Sequence, residues 1–271
     1  MKKVIVVLLA IGLVITGCGG QSTPGKQPAE GLSKLDQIKS AGKLTVFTNA
    51  EFPPYEFMEG EEIVGVDVEI AKAIASEIGV ELDMQNANFD GIVASIASGR
   101  GDLGISGFTI TDERKKQVDF SVPYVDSVQY MIIPDNSELK VLEDFAGKSV
   151  GAQLGTTGEM LVQGEIDDGV LKGTNAEVKP YQSAPLAMAD LIAGRIVAVV
   201  IDELVAINIA KVNTGYLAIP LVYKSGSPVT EQFGVAVKKG NEDLLAIVNK
   251  VVSDMVNKGL IEKYIDQYDE M

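Results

Sequence analysis

Apolar positions along the chain keep two rhythms in alternation. Val66, Ile70, Ala71, Ile74, Ala75 and Ile78 recur at helical spacing and stop at Gly79, which predicts a helix over 66–78. A second helix is predicted over 91–98 with Gly99 at its C-cap, and a third over 184–193 with Pro185 near its start. Between them lie short strand-like runs at 44–48, 80–84, 102–106 and 148–152, and a continuous apolar run at 195–201. That last run suits a strand buried on both faces. Such alternation argues βαβ units and a parallel sheet. Ile96-Ala-Ser-Gly-Arg100 precedes the strand ending at Ser106, and Ile192-Ala-Gly-Arg195 leads into the strand ending at Asp202. A common turn can arise twice by chance, but two lobes of one architecture is the economical reading. Ligands of open α/β sheets bind beyond the carboxyl ends of strands, so the polar ends should face each other across a cleft.

The N-terminus stands apart from this pattern. Met1-Lys2-Lys3 is basic, and 4–16 is an apolar or small run too short to span a bilayer, as in a secretory signal. It closes on Ile15-Thr16-Gly17-Cys18, which resembles the bacterial lipobox, with Cys18 the sole cysteine. Cleavage would remove residues 1–17, leave 254 of 271, and free the Cys18 thiol for a diacylglycerol anchor. Polar residues 19–30 read as a flexible tether, so 18–43 comprises the lipidated cysteine, the tether and the start of the fold.

Composition narrows the function. The formal charge of −15, or −17 without Lys2 and Lys3, argues against nucleic acid as a partner. The chain has no histidine, which removes Ser-His-Asp triads, Cys-His dyads and His-ligated zinc. No cofactor and no metal are expected.

A free amino acid leaving water needs an anion partner for its ammonium and a cationic fork with N–H donors for its carboxylate. The chain has candidates for each. Hydroxyls and Gly107 at a strand end are followed by Arg114; Leu154-Gly-Thr-Thr-Gly158 is a loop with N–H donors for an anion; and Asp202-Glu203 end the apolar strand. A strand-end aspartate can equally be only a helix N-cap.

Taken together, Glu51-Phe-Pro-Pro-Tyr-Glu-Phe57, Val64-Gly-Val-Asp-Val-Glu-Ile-Ala71, Phe89-Asp-Gly-Ile92, Thr109-Ile-Thr-Asp-Glu-Arg-Lys115, Val118-Asp-Phe-Ser121, Gly155-Thr-Thr157 and Asp202-Glu203 resemble the polar amino-acid solute-binding proteins of ABC importers, extracellular solute-binding protein family 3. The resemblance covers nearly the whole mature chain. It implies an α/β, two-lobe periplasmic-binding-protein fold of type II. The discontinuous first lobe (44–126 plus 230–271) surrounds a second lobe (127–229), with a two-strand hinge near 127–129 and 225–229. It implies that Arg114 clamps the ligand's carboxylate, Gly107 and Thr109 bind its α-groups, Thr157 binds its carboxylate from the second lobe, and Asp202 pairs its ammonium. Phe52 and Phe89 would pack on the ligand, while Asn49 and Gln153 meet its side chain. Asn49 departs from the aspartate of the histidine and glutamine binders. Glu51, beside Phe52, would favour a basic ligand, arginine before lysine; with Glu51 turned to solvent, the amides suit glutamine instead. The expected protein is a monomeric, lipid-anchored, extracytoplasmic carrier that closes about its hinge and delivers an amino acid to a membrane permease with its ATPase. It would not be an enzyme, although dehydratases sharing this fold form the rival class.

Overall fold

In the computed structural model, residues 31–269 are described. The signal segment 1–17, Cys18 and the tether 19–30 lie outside them.

The chain enters on α1 (Lys34–Ala41), capped by the Ser33 hydroxyl and ended by Gly42 in the left-handed region. Strand β1 (Lys43–Thr48) leads to a small antiparallel sheet of β2 (Glu51–Phe52), β3 (Glu56–Glu59) and β4 (Glu62–Val64). Then come α2 (Val66–Ile78), β5 (Glu81–Asn86), α3 (Phe89–Ser98), β6 (Leu103–Gly104), α4 (Asp112–Lys115) and β7 (Val118–Phe120). The apolar face of α2 is buried at every position the periodicity marked, and Gly79 and Gly99 cap their helices with positive φ. The second lobe runs through β8 (Val125–Pro134), β9 (Ser149–Gln153), α5 (Thr157–Asp167), β10 (Glu177–Tyr181), α6 (Ala184–Ile192), β11 (Val199–Asp202), α7 (Glu203–Val212) and β12 (Tyr216–Pro220). The chain returns in β13 (Thr230–Phe233) and β14 (Ala236–Lys238), then ends on α8 (Glu242–Asn257) and α9 (Leu260–Asp269).

Each lobe carries one large sheet, ordered β5-β1-β6-β14-β7 in the first and β10-β9-β11-β8-β12 in the second. Both are mixed rather than parallel. The βαβ pairs β1/β5, β1/β6, β9/β10 and β9/β11 are parallel, whereas the crossing and returning strands β8, β12 and β14 pair antiparallel. Two crossovers tie the lobes: β8 leaves the first lobe, and β13 returns along it, with Ser127 opposite Glu231. Just before this return, the Tyr223 N–H bonds to the Ser227 carbonyl and the Gly226 N–H to the Tyr223 carbonyl in a turn, and the Val229 carbonyl accepts the Gln129 N–H as the chain joins β8.

Candidate functional site

Four strand ends converge where the lobes meet. Asn49 follows β1, Gly107 and Thr109 follow β6, Gln153 ends β9 and Asp202 ends β11. These residues, with Phe52, Phe89, Arg114 and Thr157, line one cavity together with Glu56 and Thr156. Nine of the ten residues singled out in the sequence are thus brought together. Glu51 is the exception: β2 alternates, so Phe52 turns inward and Glu51 is exposed to solvent. The carboxyl that lines the cavity from this hairpin is Glu56, fully buried on β3.

Arg114 is held almost rigidly. It sits on the single turn α4, where the Thr111 side chain accepts its backbone N–H. One guanidinium nitrogen donates to the Thr109 carbonyl at 2.9 Å within the first lobe, the other to the Gly155 carbonyl at 3.0 Å in the second. Its Cζ lies 5.5 Å from the ring centre of Phe89 and 5.3 Å from that of Phe108, and the two rings stack 4.8 Å apart. Burial lowers its pKa to about 10, against which Glu231 and Asp202 pull upward, so it remains a cation at neutral pH. Its remaining N–H groups are available to a carboxylate.

Asp202 is the opposite pole. It occupies the N-cap position of α7, but its side chain makes no capping bond, so the capping role a strand-end aspartate often has is not exercised. Ser127 reaches it at 3.4 Å. Burial pushes its carboxyl well above the ordinary range, and the nearby Glu231 carboxylate pushes it further. A cation placed here would restore its charge.

Further polar contacts join the lobes across this cavity. The Gln153 Nε2 donates to Asn49 Oδ1 at 2.9 Å, and the Thr109 and Thr157 hydroxyls lie 3.2 Å apart. The loop 154–158 offers fewer free donors than expected, because the Gly155 N–H is taken by Glu159 and the Thr156 N–H by Gln153. Thr156 caps α5, which leaves Thr157 at its first turn with an N–H that no helix bond uses.

Three buried carboxyls escaped the sequence reading. Glu56 accepts the Ser106 hydroxyl at 2.6 Å, Asp67 accepts the Gly107 N–H at 2.8 Å, and Glu231 gathers hydroxyls at the hinge. Alternation in β13 puts Glu231 on the same inward face as Phe233, a period-two signal that was readable but overshadowed by the family motifs.

The sequence matches the bacterial extracellular solute-binding proteins, family 3, over residues 44–270. It is 34% identical to the L-cystine-binding protein TcyJ of Escherichia coli (strain K12) over 243 residues, covering 88% of this chain and 86% of that protein. Among solved structures it is similar to the amino acid ABC transporter substrate-binding protein AbpA of Streptococcus pneumoniae bound to L-arginine. There the TM-score is 0.79 and the identity 33%, over 87% of this chain and 98% of that one. It is similar as well to an ancestral arginine-binding protein bound to glutamine, with TM-score 0.73 and 38% identity over 84% and 97%.

Proposed function

The chain belongs to the bacterial extracellular solute-binding proteins of family 3, and we propose from that premise that it captures a free amino acid, arginine first, and delivers it to the permease of an ABC importer. It is a solute-binding protein and not an enzyme. One observation carries the ligand class: a guanidinium and a carboxyl with no capping duty face the same cavity, from opposite lobes. That spacing of opposite charges suits the α-carboxylate and α-ammonium, whatever the side chain.

The preference for arginine rests on what remains. Gln153 donates to Asn49 Oδ1 and to the Gln182 carbonyl at 3.3 Å, so both hydrogens of its amide are spent. Its Oε1 has no partner among the described residues and is left to accept from a ligand. That acceptor, in a cavity lined by Phe52 and Phe89, suits a guanidinium, whereas a side-chain carboxylate would be buried without a donor. Glutamine is the second reading, favoured by the exposure of Glu51 and by the glutamine-bound neighbour of the same fold. Carriage on the outer face of the membrane by a lipid on Cys18 belongs to the same proposal, supported by the lipobox.

Calorimetry with L-arginine, L-lysine, L-glutamine, L-cystine and L-glutamate tests the ligand. Arginine should bind most tightly and glutamate not at all. Arg114→Ala and Asp202→Ala should each weaken arginine binding by roughly 30-fold or more, the consequence of leaving one buried charge unpaired at about 2–5 kcal/mol. Tight glutamine binding with no arginine affinity would overturn the side-chain assignment alone; no binding of any amino acid would overturn the class.

A further inference from the structure

Glu231 lies on β13, the returning strand of the hinge, and its residue is only 9% exposed. One of its oxygens, Oε2, accepts three hydrogen bonds: from the Thr109 hydroxyl at 2.8 Å, the Thr157 hydroxyl at 3.0 Å and the Gln129 amide at 3.1 Å. With the threonine oxygens 3.2 Å from each other, the carboxylate and both hydroxyls form a tight triangle. Charge-assisted bonds of this kind are what permits a carboxylate to stay buried.

The three donors differ in what holds them. Thr109 forms a β-bridge with Phe233 on β13; Gln129 sits on β8 where that strand enters the second sheet, opposite Asp202, with its N–H on the Val229 carbonyl, so both lie at the hinge strands themselves. Thr157 is tied only to the second lobe, as the first residue of α5. Rotation of the lobes about β8 and β13 would therefore take Thr157 away from Glu231 while Thr109 and Gln129 stay. Closing restores the third donor. A contact made in one of two states is what shifts the balance between them.

We propose that Glu231 is a closure clasp, a positioning residue in the hinge that draws Thr157 of the second lobe onto Thr109 of the first and so biases the cleft toward its closed form. The clasp rests on the amino-acid reading only for what closure accomplishes; its own contacts are all within the protein. The same carboxylate, after burial, is the main cause of the raised Asp202 pKa, so it also sharpens the demand of Asp202 for a cation.

Small-angle scattering of the full chain without added amino acid, and stopped-flow release of L-arginine, test the clasp. Glu231→Gln should enlarge the radius of gyration and speed arginine release by about tenfold or more, with an unfolding temperature close to wild type. In a Thr157→Val background, which lacks the hydroxyl, Glu231→Gln should add nothing further to the radius of gyration. Unchanged scattering and release in Glu231→Gln, or expansions that simply add in the double variant, would overturn the proposal. Where Glu231→Gln does not fold, Glu231→Asp retracts the carboxylate by one methylene with its charge intact; it should expand the molecule likewise, and unaltered dimensions would count against the clasp. If wild type binds no arginine, the ligand reading fails, while the scattering comparison still decides the clasp.

Discussion

Two carboxyls beneath the cavity floor set a pH dependence that belongs to single residues. Glu56 and Asp67 are both fully buried, and one oxygen of each, Glu56 Oε2 and Asp67 Oδ1, has no hydrogen-bond partner among the described residues. A proton held between the two carboxyls would satisfy both. Burial, then the Asp67 charge, raises Glu56 well above the carboxylate range; burial also raises Asp67 from 3.8 to about 6, although the Gly107 N–H and Tyr124 pull it back. A raised acid binds its proton more tightly in the folded state than in the unfolded one. Its contribution is therefore complete below pH ~4 and is lost as pH rises through about 6. A shift of about two units corresponds to about 3 kcal/mol. Asn at position 67 keeps an acceptor for Gly107 and gives Glu56 a donor that does not titrate. Asp67→Asn should therefore gain stability relative to wild type by about that amount between pH 4 and pH 7, read as urea midpoints at each pH. Parallel pH profiles for the two proteins would refute the shared proton.

The loop between β9 and α5 shows how an element conveys one lobe's position to the other. Gly155 has φ +79, and a Cβ there would come within 3.1 Å of the Asp90 backbone on α3, across the cleft. The left-handed conformation alone costs a non-glycine residue about 1 kcal/mol. The contact with Asp90 exists only while the lobes meet, so Gly155→Ala should weaken arginine binding about tenfold beyond that general cost. Gly173 is the control: it has φ +73 and nothing within 4 Å of a Cβ, so Gly173→Ala has the strain without the obstruction. Equal affinities for the two variants by calorimetry would show that this contact is irrelevant to closure. Elements were legible wherever local chemistry decided them. The helix 66–78, with its apolar stripe and Gly79 cap, was readable to the residue, and Gly99 closed α3 as expected. The helix 91–98 begins earlier, at Phe89, with Asn88 as an extended N-cap residue whose side chain makes no capping bond. The strands at 102–106 and 195–201 contract to Leu103–Gly104 and Val199–Asp202, although Asp102, Ile105 and Val197 each keep one backbone bond to a neighbouring strand. Apolar runs record burial, and a strand's ends are set by partners far away in sequence. The same non-locality hid the antiparallel pairing of β8, β12 and β14, and on β13 it hid the partners of Glu231, 74 to 122 residues distant, although not its inward face. Conversely, Glu51 was drawn into the site by adjacency to Phe52, although successive residues of a strand face opposite ways.

At the scale of the whole molecule, α1 packs on the first lobe, and this bears on how a lipid-anchored protein would meet the membrane. Helix α1 is fixed to that lobe by the Lys34–Asp102 ion pair at 2.5 Å and by the Leu35 N–H bonded to Asp243 at 3.2 Å. A lipid on Cys18 would thus hold the first lobe and leave the second free to swing about β8 and β13. Among the described residues no helix is long and apolar enough to cross a membrane. The chain carries 38 acidic against 23 basic residues, so anionic headgroups repel it. On the proposal that Cys18 is lipidated, a diacylglycerol with a further acyl chain would suffice for stable attachment. Cys18→Ser should abolish fatty-acid labelling and move the protein from the membrane fraction to the soluble one. Its arginine affinity should not change, because the cavity lies between the strand ends, away from α1. Labelling and membrane fractionation equal to wild type would defeat the anchor. A loss of arginine affinity alongside the loss of label would show that the tether acts on the cleft itself and is more than a leash.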